Sequence, residues 1–219
     1  RRLGLRHEEH VALIDRLPAA DTRAVEAEAI LEDFHLQLAH RDGEVLPQTR
    51  EVHEAKVDGF NATFAAEGED IVGRRGPGEN TFLRTDKTYG DFSLKMQMRW
   101  DEPGNSGVLF RAQQRAVDPD GERNGRAYGY QFELDDSERS WSGGIYDEAR
   151  RGWLAGLADK PEVRAAIRLD DWNDVEIEAR GARIKTWING VLAADIVDGL
   201  DAQGFIALML LHGHAPFVD

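Results

Sequence analysis

At 219 residues, with 41% hydrophobic and 31% charged residues, the chain is long enough for one well-cored globular domain and a small appendage. A net charge of -14 without a basic stripe speaks against nucleic acid, because phosphate binding needs a basic face. No apolar run approaches the roughly 20 residues that span a bilayer, and the lack of cysteine excludes disulfides, thiolate metal sites and thiol nucleophiles.

The chain starts at Arg1 with no methionine or signal-like segment, so a fragment or a processed product is expected. Up to about Asp42 the spacing predicts helix. "RHEEHVALIDRLP" and "DTRAVEAEAILEDFHLQLAHRDG" repeat apolar residues at three and four positions, as in Val25, Ala29, Phe34 and Leu38, with Pro18 between them. His7, His10, His35 and His40 fall here, but no third ligand is spaced to complete a metal site with either pair. Residues 1–44 are therefore expected to form a helical segment for packing or for oligomerisation.

From Val45 to the end, short alternating runs separated by turn signals predict antiparallel β structure. "FSLKMQMRW" sets Leu94, Met96, Met98 and Trp100 against Lys95, Gln97 and Arg99, the latter set expected on a solvated outer face. "SGVLFRAQ", "YGYQFEL", "DVEIEAR", "RIKTWING", "VLAADIV" and "GFIALML" supply more strands, and Asn189-Gly190 is a two-residue hairpin turn. Many strands with few helices favour a sandwich or jelly roll. One long connection, "RRGWLAGLADKPEVRAAIRLDDW", is expected to hold a short helical turn.

The chemistry concentrates in "GYQFELDDSERSWSGGIYDEARRGW" (129–153). On a strand, Gln131, Glu133 and Asp135 share one face. Facing a groove, such carboxylates raise each other's pKa and suit acid–base work; facing out, they are merely solvated. Arg111, between apolar neighbours, suits an ion pair with a groove acid, an anchor for ligand oxygens, or an edge position in water. Trp141, Tyr146 and Trp153 sit in or beside loops, where rings can stack on sugars, whereas Trp100, Trp172 and Trp187 are assigned to the core. Asp147, Arg150 and Arg151 line a groove rim or form a salt-bridged loop.

"NTFLRTDKTYGDFSLKMQMRW", "GNSGVLFR", "GYQFELDD", "SGGIYDEARRGWL" and "DDWNDVEIEARGARIKTWINGVLAADIVDG", in that order, resemble the 3-keto-disaccharide hydrolase domain, also described as a 3-keto-glucoside lyase and 3-keto-glucal hydratase. The resemblance implies a concanavalin A-like jelly roll of two antiparallel sheets. The implied partner is an oxidised (3-keto) sugar or glycoside, and the implied location is periplasmic or extracellular. It also implies cleavage by C2 proton abstraction and elimination, followed by hydration, or by net hydrolysis. Glu133 or Asp135 would be the base, Arg111 would hold the enolate oxygen, and Tyr146 or His212 would be the acid. Gln131, Asp135, Trp141, Asp147, Arg150 and Trp153 would bind substrate. A divalent cation on the acidic cluster would be an alternative holder of the enolate oxygen. The chain departs from the family pattern near its end, where Met209 replaces a glutamine and His212 is displaced by one residue. Two other readings compete. "ELDDSE" matches the Glu-x-Asp-x-x-Glu pattern of laminarinase-type glucanases, with Glu133 as nucleophile and Glu138 as acid/base. A lectin-like carbohydrate-binding module would share the same fold.

Overall fold

Along Phe92–Trp100 every second side chain is buried and the rest lie at least partly in water, the signature of a strand with one face on a core. A computed structural model describes residues 2–6, 63–67, 70–74, 80–102, 104–115 and 126–210. The first strands are β1 (Arg2–Arg6), β2 (Thr63–Glu67), β3 (Asp70–Arg74), β4 (Thr81–Arg84), β5 (Phe92–Trp100) and β6 (Ser106–Gln114). Then follow β7 (Ala127–Leu134), β8 (Ile145–Glu148), β9 (Gly152–Ala155) and the short helix α1 (Pro161–Ala165). The chain continues through β10 (Asn173–Arg180), β11 (Arg183–Ile188), β12 (Val191–Val197) and β13 (Phe205–Leu210).

These strands form two sheets of seven and six, in the orders β12-β11-β10-β5-β1-β3-β2 and β4-β13-β6-β7-β8-β9, with antiparallel pairing throughout. The mainly β, two-sheet architecture expected from the alternation is what is found. Between the sheets, Leu94, Met96 and Met98 of β5 and Val175 and Ile177 of β10 share a core with Phe110, Tyr130, Phe132, Leu134 and Leu208. The alternate residues of the six-stranded sheet form a second cluster on its other face, including Phe82, Leu109, Phe205, Ala207 and Met209. Burial on both faces explains why "FIALML" runs apolar without a break.

The expected helix does not extend to the first residues. Arg2–Arg6 is a strand, with Leu3 and Leu5 opposite Trp100 and Met98 on β5 and opposite Gly73 and Ile71 on β3. Its Arg-Leu-Gly-Leu-Arg pattern has a period of two, which suits a ladder. The remainder of the 1–44 segment, its four histidines, and His212 lie outside the described residues.

Asn189 and Gly190 both take positive φ, 49° and 78°, as a two-residue hairpin turn requires. The short helical turn is α1, which opens on Pro161 and buries Val163. Lys95 and Arg99 stand on the outer face of the seven-stranded sheet, Lys95 beside Glu176 at 3.3 Å. Trp172 and Trp187 are not core residues. They are half-buried under Arg99 and Lys185, at 4.9 and 6.0 Å, because Trp187 alternates with the buried Thr186 and Ile188.

Candidate functional site

Tyr130, Phe132 and Leu134 of β7 enter the core, which turns Gln131 and Glu133 to the other face of the six-stranded sheet. Glu133 is only 3% exposed. Its Oε1 accepts from Asn105 Nδ2 at 2.6 Å and lies 3.5 Å from the Arg139 guanidinium; its Oε2 accepts from Gln131 Nε2 at 2.8 Å. Burial pushes its carboxyl up to about 7, helped by the charge of Asp135 and opposed by Asn105, Arg139 and Gln131. Such a group changes protonation near neutrality, as a general base must.

The loop after β7 is organised by Asp135. Its Oδ1 accepts from Ser137 N at 3.0 Å, and its Oδ2 from Arg139 Nε at 2.8 Å and Trp141 N at 3.2 Å. Burial alone would raise this carboxyl, but Ser137 and Arg139 hold it below the usual range. Asp135 is thus held as a fixed negative charge that positions Arg139. The Arg139 guanidinium lies over the rings of Trp141 and Trp153, at 5.0 and 4.9 Å, and those rings meet edge to face at 4.7 Å.

The Trp-Ser-Gly-Gly turn brings the chain back against Glu133. Gly143 N donates to Glu133 O at 2.9 Å, and Glu133 N donates to Gly144 O at 3.0 Å. Gly143 has φ of 96°, and a Cβ there would stand 2.6 Å from the Cβ of Ala193. Gly143→Ala is therefore expected to cost about 2–4 kcal/mol in urea unfolding, by strain and overpacking together.

Tyr146 of β8 stands opposite Gln131 and packs edge-on to Trp153 with centroids 5.1 Å apart. Burial raises its phenol, and the neighbouring Glu148 and Glu133 raise it further, so it stays protonated and able to donate. Gln131, Glu133, Asp135, Trp141, Tyr146 and Trp153 thus gather in one cluster.

Arg111, Asp147 and Arg150 do not join it. Arg111 lies in the register shift of β6, at φ 47°, and is fully buried. It donates to Gly90 O (2.8 Å), Gly181 O (2.7 Å), Asp201 O (3.4 Å) and Asp91 Oδ1 (3.1 Å). The arginine expected at the groove acid is a clasp between loops, because the bulge breaks the alternation that would have aimed it outward. Asp147 pairs with Tyr130 across β7 and β8, so it faces inward. It accepts from Arg150 Nε at 2.8 Å and from Arg151 Nε, while Arg150 reaches Asp201 at 2.6 Å and Arg151 reaches Asp198 at 2.8 Å. That is the salt-bridged loop. Glu138 is exposed on a turn while Glu133 is buried, so the paired carboxylates of a retaining glucanase are not formed by these two.

Two residues of the cluster escaped the sequence reading. Asn105 precedes β6, where no strand period points to it, and its amide supplies the shortest contact to Glu133. Arg139 stood in plain view four residues after Asp135, a spacing that closes an acid–base pair in a tight loop. Among the described residues no three His, Asp or Glu side chains are grouped to hold a metal ion. The Asp135 oxygens are already taken by N–H donors. A cation on this cluster does not fit.

Residues 39–218 match the 3-keto-alpha-glucoside-1,2-lyase-like domain. The chain belongs to that family, a carbohydrate-active one. No curated protein matches. A Bacillus subtilis protein of unknown function with a galectin-like fold superposes with a TM-score of 0.51 at 13% identity, covering 76% of this chain and 86% of its own. This likeness bears on the fold, a jelly-roll-like sandwich. Carbohydrate binding module CBM66 from Bacillus subtilis gives a TM-score of 0.49 at 18% identity, over 70% of this chain and 86% of that one. A putative glycosyl hydrolase from Parabacteroides distasonis gives 0.46 at 17% identity, over 70% and 81%.

Proposed function

We propose that the protein cleaves glucosides oxidised to a ketone at C3. The observation that carries this reading is Glu133: a buried carboxyl near 7, held by Asn105 and Gln131 beside Arg139, in a chain of this family. A ketone at C3 acidifies the C2 proton. Ionised Glu133 takes that proton, and the electron pair forms an enolate whose oxygen is stabilised by the Arg139 guanidinium. Arg139 thereby takes the role first given to Arg111. When the carbonyl re-forms, the pair becomes the C1–C2 double bond and the C1–O bond breaks. The departing oxygen receives its proton from the Tyr146 hydroxyl. Water then adds across the C1–C2 double bond, which makes the net reaction a hydrolysis. Trp141 and Trp153 form an aromatic wall beside the reacting ring.

The test is release of the alcohol or second sugar from 3-keto-trehalose or methyl 3-keto-glucoside, with and without EDTA. The expected result is release from the keto substrates in both conditions and none from the unoxidised sugars, whose C2 proton is not acidic. Sugar binding without release would replace this reading with that of a carbohydrate-binding module.

A further inference from the structure

Gln131 has one of its two side-chain polar atoms partnered and the other not. Its Nε2 donates to Glu133 Oε2 at 2.8 Å, while its Oε1, in a side chain of a residue only 2% exposed, has no partner. Turning the amide round would set its oxygen against Glu133 whenever that carboxyl is ionised, the form in which it acts as a base. The surrounding backbone holds it in place. Gly107 lies opposite Glu133 on β6, and a Cβ there would fall 2.8 Å from Gln131 Cγ and Cδ, so the amide rests over bare main chain. Tyr146 is its cross-strand neighbour on the other side. Buried acceptors without a donor are rare and cost about 1–3 kcal/mol. The orphaned oxygen, next to the reacting carboxylate, is matched by a donor that arrives with the ligand.

We propose that Gln131 determines specificity at this site. Its Oε1 accepts a sugar hydroxyl flanking the ketone, on C2 or C4, while its Nε2 keeps Glu133 aimed at the reacting proton. The identity of the donor rests on the keto-sugar reading above; the need for a donor does not. A site built around an acceptor rejects a ligand lacking the matching hydroxyl, because the acceptor is then buried unpaired.

The experiment compares methyl 3-keto-glucoside with its 2-deoxy and 4-deoxy analogues, on the wild-type protein and on Gln131→Met. The wild type is expected to lose about 10- to 100-fold in kcat/KM on one analogue. Gln131→Met is expected to be slower on all three sugars and to treat them alike. A role limited to holding Glu133 would lower all three in parallel and leave the wild-type ratio, which overturns the proposal, as does a wild type that does not discriminate. The same comparison by calorimetry, with methyl glucoside and its deoxy analogues, needs neither turnover nor a variant. Selective binding here, together with no release from the keto substrates, would keep the role of Gln131 and remove the enzymatic reading. Unselective binding would overturn the role of Gln131; with no binding of the unoxidised sugars, the kinetic comparison on the keto sugars decides it.

Discussion

Glu133→Gln should lower kcat/KM on methyl 3-keto-glucoside by about 1000-fold, the loss typical of removing a positioned base. Wild-type activity should rise with pH through about 7 as Glu133 ionises, and that limb should vanish in the variant. Stability should move the opposite way. The folded carboxyl titrates near 7 and the unfolded one near 4.5, so the folded state binds the proton more tightly. Its contribution is fully present below pH 4.5 and is lost as pH rises through about 7. Glutamine does not titrate. Between those limits the variant should therefore gain on the wild type by up to about 3 kcal/mol in urea unfolding. An activity loss with no pH-dependent gain would mean that the carboxyl is not the desolvated group described here.

The second large effect should fall at the other end of the sheet. Arg111→Met removes four donated hydrogen bonds, to Gly90, Gly181, Asp201 and Asp91, and leaves their acceptors in a partly closed pocket. Breaking a buried charge cluster from one side costs about 3–5 kcal/mol, or a fall of about 10 °C in Tm for a chain of this size. Arg111→Lys keeps the charge but not the fork, and should recover only part of this. Below its melting range the Lys variant should keep the wild-type KM and pH profile. A tenfold fall in kcat/KM with unchanged Tm would return Arg111 to the catalytic role that its place in the sequence suggested.

Glu133 and Arg111 mark where the sequence was legible and where it was not. Period-two alternation placed Gln131 and Glu133 on one face and Tyr130 and Phe132 on the other, because β7 is regular up to its end. The same rule failed at Arg111, since the shift between Phe110 and Gln113 is set by how β6 meets β7 and leaves no mark in the strand itself. At Asp147 the choice between groove rim and salt-bridged loop stayed open, because "IYDE" gives one alternation and no way of knowing which half faces Tyr130. Arg139 was overlooked because loop conformation, not strand period, brings it to Glu133. The first residues were read as an extension of the helical pattern that follows. Two leucines in a five-residue strand are too short a repeat to contest it.

That short strand governs how the seven-stranded sheet can be assembled. Among the described strands, β3 and β2 are linked to the rest of their sheet only through β1, which fills the slot beside β5. Arg6 meets Gln97, so this slot closes by a pairing between distant parts of the chain. Non-local pairings of this kind form slowly. Until the slot is filled, the edge of β5 offers unpaired N–H and C=O groups to any matching strand, including the same strand of a second molecule. The opening residues thus act as a keystone: without them β3 and β2 would have no described strand joining them to β5.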